Sequence, residues 1–183
     1  AQRLYEYAQN GNFEQESTYW FAESRKQIRP LPIDKIGGEN TIAQAKTVSI
    51  TLNCEETKAL LTQVPAAYHT QINHVLLAAL LQAFQQWTGE SQLLIDLEAH
   101  GREDIFPNID LSRTVGWFTT IFPVLLHQPE TTDNVANLDA VKQQLQEIPN
   151  HGINNGVLRY LGDEEIKQQL QNMPPAEVRF NYL

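Results

Sequence analysis

A fold of the α/β or α+β class is predicted by three observations. Runs with apolar residues at every second position alternate along the chain with runs whose apolar residues return every three or four. Turn-forming clusters separate these runs, as they do where strands and helices share one core. The third is bulk: 183 residues at 42% hydrophobic and 19% charged content suffice for one domain, or one lobe of something larger. No internal repeat or low-complexity tract is present.

The elements follow in order. The chain opens inside a helical pattern, and Phe13 to Ile28 reads as a helix with Tyr19, Trp20 and Ile28 available for burial. "RPLPIDKIGGEN" (Arg29 to Asn40) carries two prolines and two glycines and reads as an extended connector. "AKTVSITL" (Ala45 to Leu52) alternates apolar with polar, as a half-buried strand does. Asn53 can then cap a short helix running to about Val64, with Glu56 at the capping-box position.

Thr70 to Trp87 is the strongest helix. Ile72, Val75, Leu76, Ala79, Leu80, Ala83, Phe84 and Trp87 form its apolar stripe, and Gly89 ends it. "SQLLIDLE" reads as a strand with Leu93, Ile95 and Leu97 on one face and Leu94, Asp96 and Glu98 on the other. "GWFTTIFPVLL" reads as a second buried strand, broken near Pro123. Asp133 to Ile148 is an amphipathic helix, "IPNHGINNG" is turn chemistry, Asp163 caps a further helix, and "EVRFNYL" is the last strand. The chain starts without a methionine and stops at Leu183 inside that strand, so a piece of a longer chain is expected.

Several function classes are excluded by composition. A net charge of -9 with no Lys/Arg-dense segment argues against nucleic acid. The one cysteine, Cys54, permits no internal disulfide and belongs to no metal-ligand cluster. No apolar run approaches the ~18 residues that span a bilayer, and no signal peptide is visible, so a cytoplasmic location is expected.

Chemistry concentrates in "DLEAHGRE", Asp96 to Glu103, where four charged side chains and a histidine follow an apolar strand. Glu98 ends that strand, and desolvation at such a place raises a carboxylate's pKa towards values useful for proton transfer. His100 shares its side if the strand continues. The competing reading is a structural ion pair of Glu98 with Arg102 or Arg113. Gly116 before Trp117 and Phe118 allows a bend or a close backbone approach, or simply a bulged core strand. His151 reads as a loop histidine, and His69, His74 and His127 have no mutual ligand spacing. Trp87 is assigned to the core. Cys54, in a helix's first turn, has no histidine near it in sequence to make it a catalytic thiol.

Four segments in this order, "DLEAHGRE", "SRTVGWFTTIFPVLL", "IPNHGINNGVLRYL" and "FNYL", resemble successive core motifs of the epimerization domains of nonribosomal peptide synthetases, relatives of condensation domains. "VPAAYHTQINHVLLAAL" and "LPIDKIGGENT" extend the resemblance over essentially the whole chain. It implies a chloramphenicol-acetyltransferase-like lobe, a mixed β-sheet flanked by helices, with residues 1–183 forming part of the C-terminal lobe. The family's HHxxxDG histidine lies on the N-terminal lobe, and no His-His pair occurs here.

The resemblance implies an amino-acid epimerase acting on L-aminoacyl or peptidyl thioesters. Its partner is a peptidyl carrier protein bearing a phosphopantetheine arm, and the domain has no cofactor or metal of its own. Glu98 matches the glutamate that faces the tunnel, and Asn181 and Tyr182 match polar residues near the site. Adjacent on a strand, those two are expected to point to opposite faces. His100, Arg102, Arg113 and Trp117 fall in supporting positions, the arginines as braces of the motif loops. Ala99 stands where the family usually has glycine, His74 where it has aspartate, and Asn154 and Asn155 interrupt a glycine-tyrosine-glycine pattern. A condensation-domain lobe, or a lobe that only docks a carrier protein, are the alternatives.

Overall fold

The computed structural model describes residues 2–11, 13–39, 41–130 and 133–182. Helices α1 (Gln2–Asn10) and α2 (Glu14–Trp20) are followed by a 3-10 turn, Glu23–Arg25. The expected helix to Ile28 therefore stops eight residues early. Next comes the long connector, and then α3 (Cys54–Lys58), a π turn (Ala59–Gln63) and α4 (Val64–Tyr68). The capping box is formed as expected: Asn53 Oδ1 accepts from the Glu56 N–H at 2.9 Å, and the Glu56 carboxylate accepts from the Asn53 N–H at 2.9 Å.

Helix α5 (Ile72–Thr88) ends at Gly89, whose φ of +77° is the left-handed stop. Strand β1 (Gln92–Ala99) and β2 (Thr120–His127) are antiparallel, with Leu93 opposite Leu126 and Glu98 opposite Ile121. After β2 come α6 (Asn134–Gln146), α7 (Ile153–Leu161), α8 (Glu164–Gln171) and β3 (Val178–Phe180), the last pairing parallel to β1. The sheet order is β2-β1-β3, so β1 lies in the middle and pairs on both sides. Asp133 and Asp163 cap α6 and α8 through the Val135 and Ile166 N–H groups. Leu183 lies outside the described residues.

Leu93, Ile95 and Leu97 face the core together with Phe122, Val124 and Leu126 across the register. Leu77 and Leu81 of α5 and Leu138 and Val141 of α6 pack in the same cluster. Each fully buried side chain of this kind contributes about 1.5–3 kcal/mol relative to exposure. The buried line of α5 is Leu77, Ala78 and Leu81, while Ala79 and Ala83 are exposed. Trp87, assigned to the core from sequence, is 58% exposed and touches Phe84 edge-on. Leu76, Leu77, Leu80 and Leu81 give this helix two apolar stripes a few positions apart, and the sheet selects one.

Pro123 does not break its strand. β2 is an edge, and in an antiparallel pair a residue's N–H and C=O point to the same side. The Pro123 carbonyl points outward, accepting from Arg25 Nη1 at 3.2 Å, so the missing N–H falls on the side that needs no ladder partner. Four residues on, His127 turns the same way: its N–H donates to Gln144 Oε1 at 2.7 Å and its carbonyl accepts from Gln144 Nε2 at 2.9 Å. Arg25 and Gln144 thus close an edge that would otherwise template pairing.

"AKTVSITL" is not a strand here. Residues 45–52 are extended but have no ladder partner among the described residues, and Val48 and Ile50 are 89% and 91% exposed. Alternation supplies a strand's side-chain pattern, but a strand needs a second backbone. Trp117 likewise lies outside β2 and is exposed. Exposed large apolar side chains in this number favour association. Light scattering over a dilution series should show dimers or larger species; a strict monomer at high concentration would contradict this.

Candidate active site

The end of β1 delivers Glu98 into a cleft of about 740 Å³. Its walls come from the α5 N-terminus (Gln71, Asn73, His74), the start of β2 (Phe122), the α6 C-terminus (Leu145, Ile148) and the segment after β3 (Asn181, Tyr182). Five parts of the chain distant in sequence meet there because β1 is central and α5, α6 and β3 all pack against it or its neighbours.

Glu98 makes no hydrogen bond or ion pair among the described residues, so the ion-pair reading does not hold. Arg102 is committed elsewhere. Its Nη1 donates to the Leu111 carbonyl at 2.6 Å, its Nη2 to the Gly116 carbonyl at 3.4 Å, and its guanidinium lies 4.3 Å above the Phe118 ring. These contacts tie the loop between β1 and β2 back onto the strand end. Arg113 is exposed and makes no such contact among the described residues.

The strand stops at Ala99, so His100 does not continue the Glu98 face. The reason is Gly101, buried at φ +64°, which turns the chain so tightly that the Arg102 N–H donates to His100 Nδ1 at 2.9 Å. Asn181 and Tyr182 were expected on opposite faces, yet both line the cleft. β3 ends at Phe180, and beyond it strand alternation no longer applies.

Two further side chains of the cleft do not stand out in the sequence. Glu103, its side chain 17% exposed, lies 2.7 Å from His151 Nδ1 and 3.5 Å from His100 Nε2. Both it and His151 line the cleft, so His151 is not a plain loop histidine. It is presented by a left-handed turn in which Asn150 (φ +45°) and His151 (φ +51°) both have positive φ. Such backbone costs roughly 1–2 kcal/mol per residue. It is held by Asn150 Nδ2 donating to Glu16 Oε1 at 2.6 Å. The sequence signal was the Asn-His-Gly triplet, whose outer members tolerate that conformation.

The segment read as turn throughout, "IPNHGINNG", becomes helical at Ile153. Asn154 and Asn155 are buried in α7. Asn154 Nδ2 donates to Glu16 Oε1 at 2.8 Å and to the Tyr7 hydroxyl at 3.0 Å, while Trp20 Nε1 donates to Glu16 Oε2 at 3.1 Å. Asn154 is thus part of a buried polar network that fastens α1 and α2 to α7, away from the cleft.

His74 also lines the cleft, with Nδ1 held by the Thr70 hydroxyl at 2.8 Å and the Gln71 N–H at 3.3 Å. Because Nδ1 accepts from a backbone N–H, the proton of the neutral ring sits on Nε2. Burial pushes its pKa below the ordinary histidine value, and the charge of Lys142 adds to this. His127 is lowered too, by burial first and then Arg25. In the unfolded chain these rings take up protons at higher pH than in the fold. Their contribution is present above the ordinary value of about 6.5 and is lost as pH falls through it. His74→Gln should therefore flatten the melting temperature's fall with pH below about 6.5; an unchanged slope in thermal melts would contradict this.

Cys54 is exposed and does not line the cleft. Among the described residues no group of three or more His, Cys, Asp or Glu is placed to hold a metal ion, and no helix is long and apolar enough to cross a membrane. What the cleft offers is proton-transfer chemistry. It holds a carboxylate with no partner among the described residues, imidazoles and a phenol around one open space.

Comparison with known proteins bears on this geometry. A family model described as Condensation domain matches residues 1–183. Linear gramicidin synthase subunits C and D of Brevibacillus parabrevis are 45% and 47% identical over 183 and 185 residues, all of this chain but 2% and 4% of those proteins. Surfactin synthase subunit 1 of Bacillus subtilis (strain 168) is 38% identical over 184 residues, 5% of its length. The chain thus spans a small part of these relatives. Among solved structures, the epimerization domain from the third module of tyrocidine synthetase B is similar with a TM-score of 0.88 and 33% identity, over 100% of this chain and 41% of that one. The X-domain from teicoplanin biosynthesis shares the fold at a TM-score of 0.66 and 20% identity, over 96% and 37% of the two chains. The mixed three-stranded sheet flanked by helices is the chloramphenicol-acetyltransferase-like fold.

Proposed function

Since this chain belongs to the condensation-domain family, whose matched relatives are subunits of nonribosomal peptide synthetases, we propose that it is part of an epimerization domain. It would supply the start and middle of the C-terminal lobe, closed in the longer protein by an N-terminal lobe with the HHxxxDG histidine. The substrate is an aminoacyl or peptidyl thioester on the phosphopantetheine arm of a peptidyl carrier protein. The observation that carries this reading is Glu98, unpaired at the strand end and facing a cleft shared with Tyr182.

The chemistry follows from that placement. The thioester carbonyl acidifies the α-hydrogen. One ionisable group removes it, the electron pair moves onto the carbonyl oxygen as an enolate, and a second group returns a proton to the opposite face. Glu98 is one of the two groups. Asn181 and Tyr182 can donate to the enolate oxygen or relay the proton, and Arg102 keeps the strand end in place.

A second reading, condensation, is equally consistent with the family model, which is described as Condensation domain. The full-length protein separates the two when given carrier-bound L-aminoacyl thioester. D-configured thioester supports epimerization, a new amide bond supports condensation, and neither product points to a lobe that only docks the carrier. The 183-residue chain alone should be silent in α-deuterium wash-in. Exchange above the no-protein control would overturn the two-lobe site.

A further inference from the structure

A second cavity, of about 420 Å³, opens between α7 and the sheet and shares no lining residue with the Glu98 cleft. Arg25, Arg159 and Arg179 line it, against a single carboxylate, Asp96. Asp96 is opposite Arg179 in the β1–β3 register and lies 3.5 Å from its Nη2. Three guanidinium groups around one cavity are notable in a chain of net charge -9.

Arg25 is the anomalous member. It is 5% exposed, its guanidinium lies 4.4 Å from the Tyr19 ring centroid and 5.3 Å from that of Trp20, and it donates to the Pro123 carbonyl. Among the described residues no carboxylate pairs with it. A buried cation is costly unless an anion and further hydrogen bonds compensate it. Two aromatic faces and a carbonyl offset only part, and burial pushes its pKa below the ordinary arginine value. With five N–H donors in a rigid fork, it can still bind an oxyanion entering the cavity.

We propose that this cavity is a binding site for a small ligand that carries an oxyanion, carboxylate or phosphate ester, on an apolar group. The oxyanion would be held by Arg25 from the floor and by Arg159 and Arg179 from the walls. The apolar part would lie against Trp20, Leu94 and Tyr160, and the cavity is too large for a bare inorganic anion to fill. Bidentate arginine contacts to such anions are among the stronger hydrogen bonds available.

The test is calorimetric titration of the 183-residue chain at fixed ionic strength with benzoate, phenyl phosphate, neutral benzamide, acetate and inorganic phosphate. Benzoate or phenyl phosphate should bind more tightly than acetate or inorganic phosphate, and benzamide should bind weakest. Whichever aromatic anion wins names the oxyanion. Arg25→Met risks the fold, so the exposed arginines carry the decision: Arg159→Gln and Arg179→Gln should each weaken binding roughly five- to tenfold. Asp96→Asn, which removes the competing carboxylate, should tighten it. Benzamide binding as well as benzoate, unchanged affinity in both arginine variants, or no binding by either aromatic anion would overturn the proposal.

Discussion

Glu98→Gln in the full-length protein is expected to slow epimerization on the order of 10²–10⁴-fold, the usual cost of losing one positioned acid or base. The substitution preserves volume and hydrogen-bonding shape and removes only the titrating group. Because Glu98 has no ion-pair partner among the described residues, nothing in the fold depends on its charge, and thermal melts of the variant should match the parent. Chiral chromatography of the released thioester product gives the rate. A variant that melts normally and epimerizes at the parental rate would make Glu98 a bystander.

Gly101→Ala is expected to have the largest effect on the fold near the site. Gly101 sits at φ +64°, and a Cβ there would lie 1.7 Å from the Phe118 carbonyl oxygen and 2.8 Å from its carbon. Those atoms are backbone, so no side-chain rotation relieves the contact. The left-handed conformation and the forced displacement together cost roughly 2–5 kcal/mol. The displaced segment is the one Arg102 ties down, so Glu98 would move with it. Gly156→Ala is the control: it lies inside α7 with nothing within 4 Å of the new methyl, and should gain about 0.5–1 kcal/mol. Urea unfolding measures both. Equal stability of the two variants would contradict the close packing at Gly101.

What was legible in the sequence divides along a physical line. β1 could be read because alternation and a dense apolar run agree at Leu93 to Leu97, and the place of Glu98 near its end followed from counting. The capping box at Asn53 and the stop at Gly89 were readable because caps depend only on neighbouring residues. The face of α5 was not, since two overlapping stripes satisfy the same periodicity and only the sheet chooses Leu77 and Leu81. Residues 45–52 carry a strand's pattern without a strand's partner, which local sequence cannot reveal. The Glu103–His151 pair joins positions 48 apart through a left-handed turn, so no spacing rule finds it. Asn181 and Tyr182 came from resemblance to a family motif, and the structure adds that they share the Glu98 cleft.

The central claim is that Glu98 transfers a proton on one face of the α-carbon while a second group serves the other. It is tested most directly by following α-deuterium wash-in to the L- and the D-configured carrier-bound thioesters separately, in the full-length protein and its Glu98→Gln variant. The parent should exchange both and interconvert them. In the variant, inversion should collapse, and any remaining exchange should be confined to one enantiomer with retention of configuration, because one face has lost its acid or base. Exchange of both enantiomers with continued inversion in Glu98→Gln would contradict the claim.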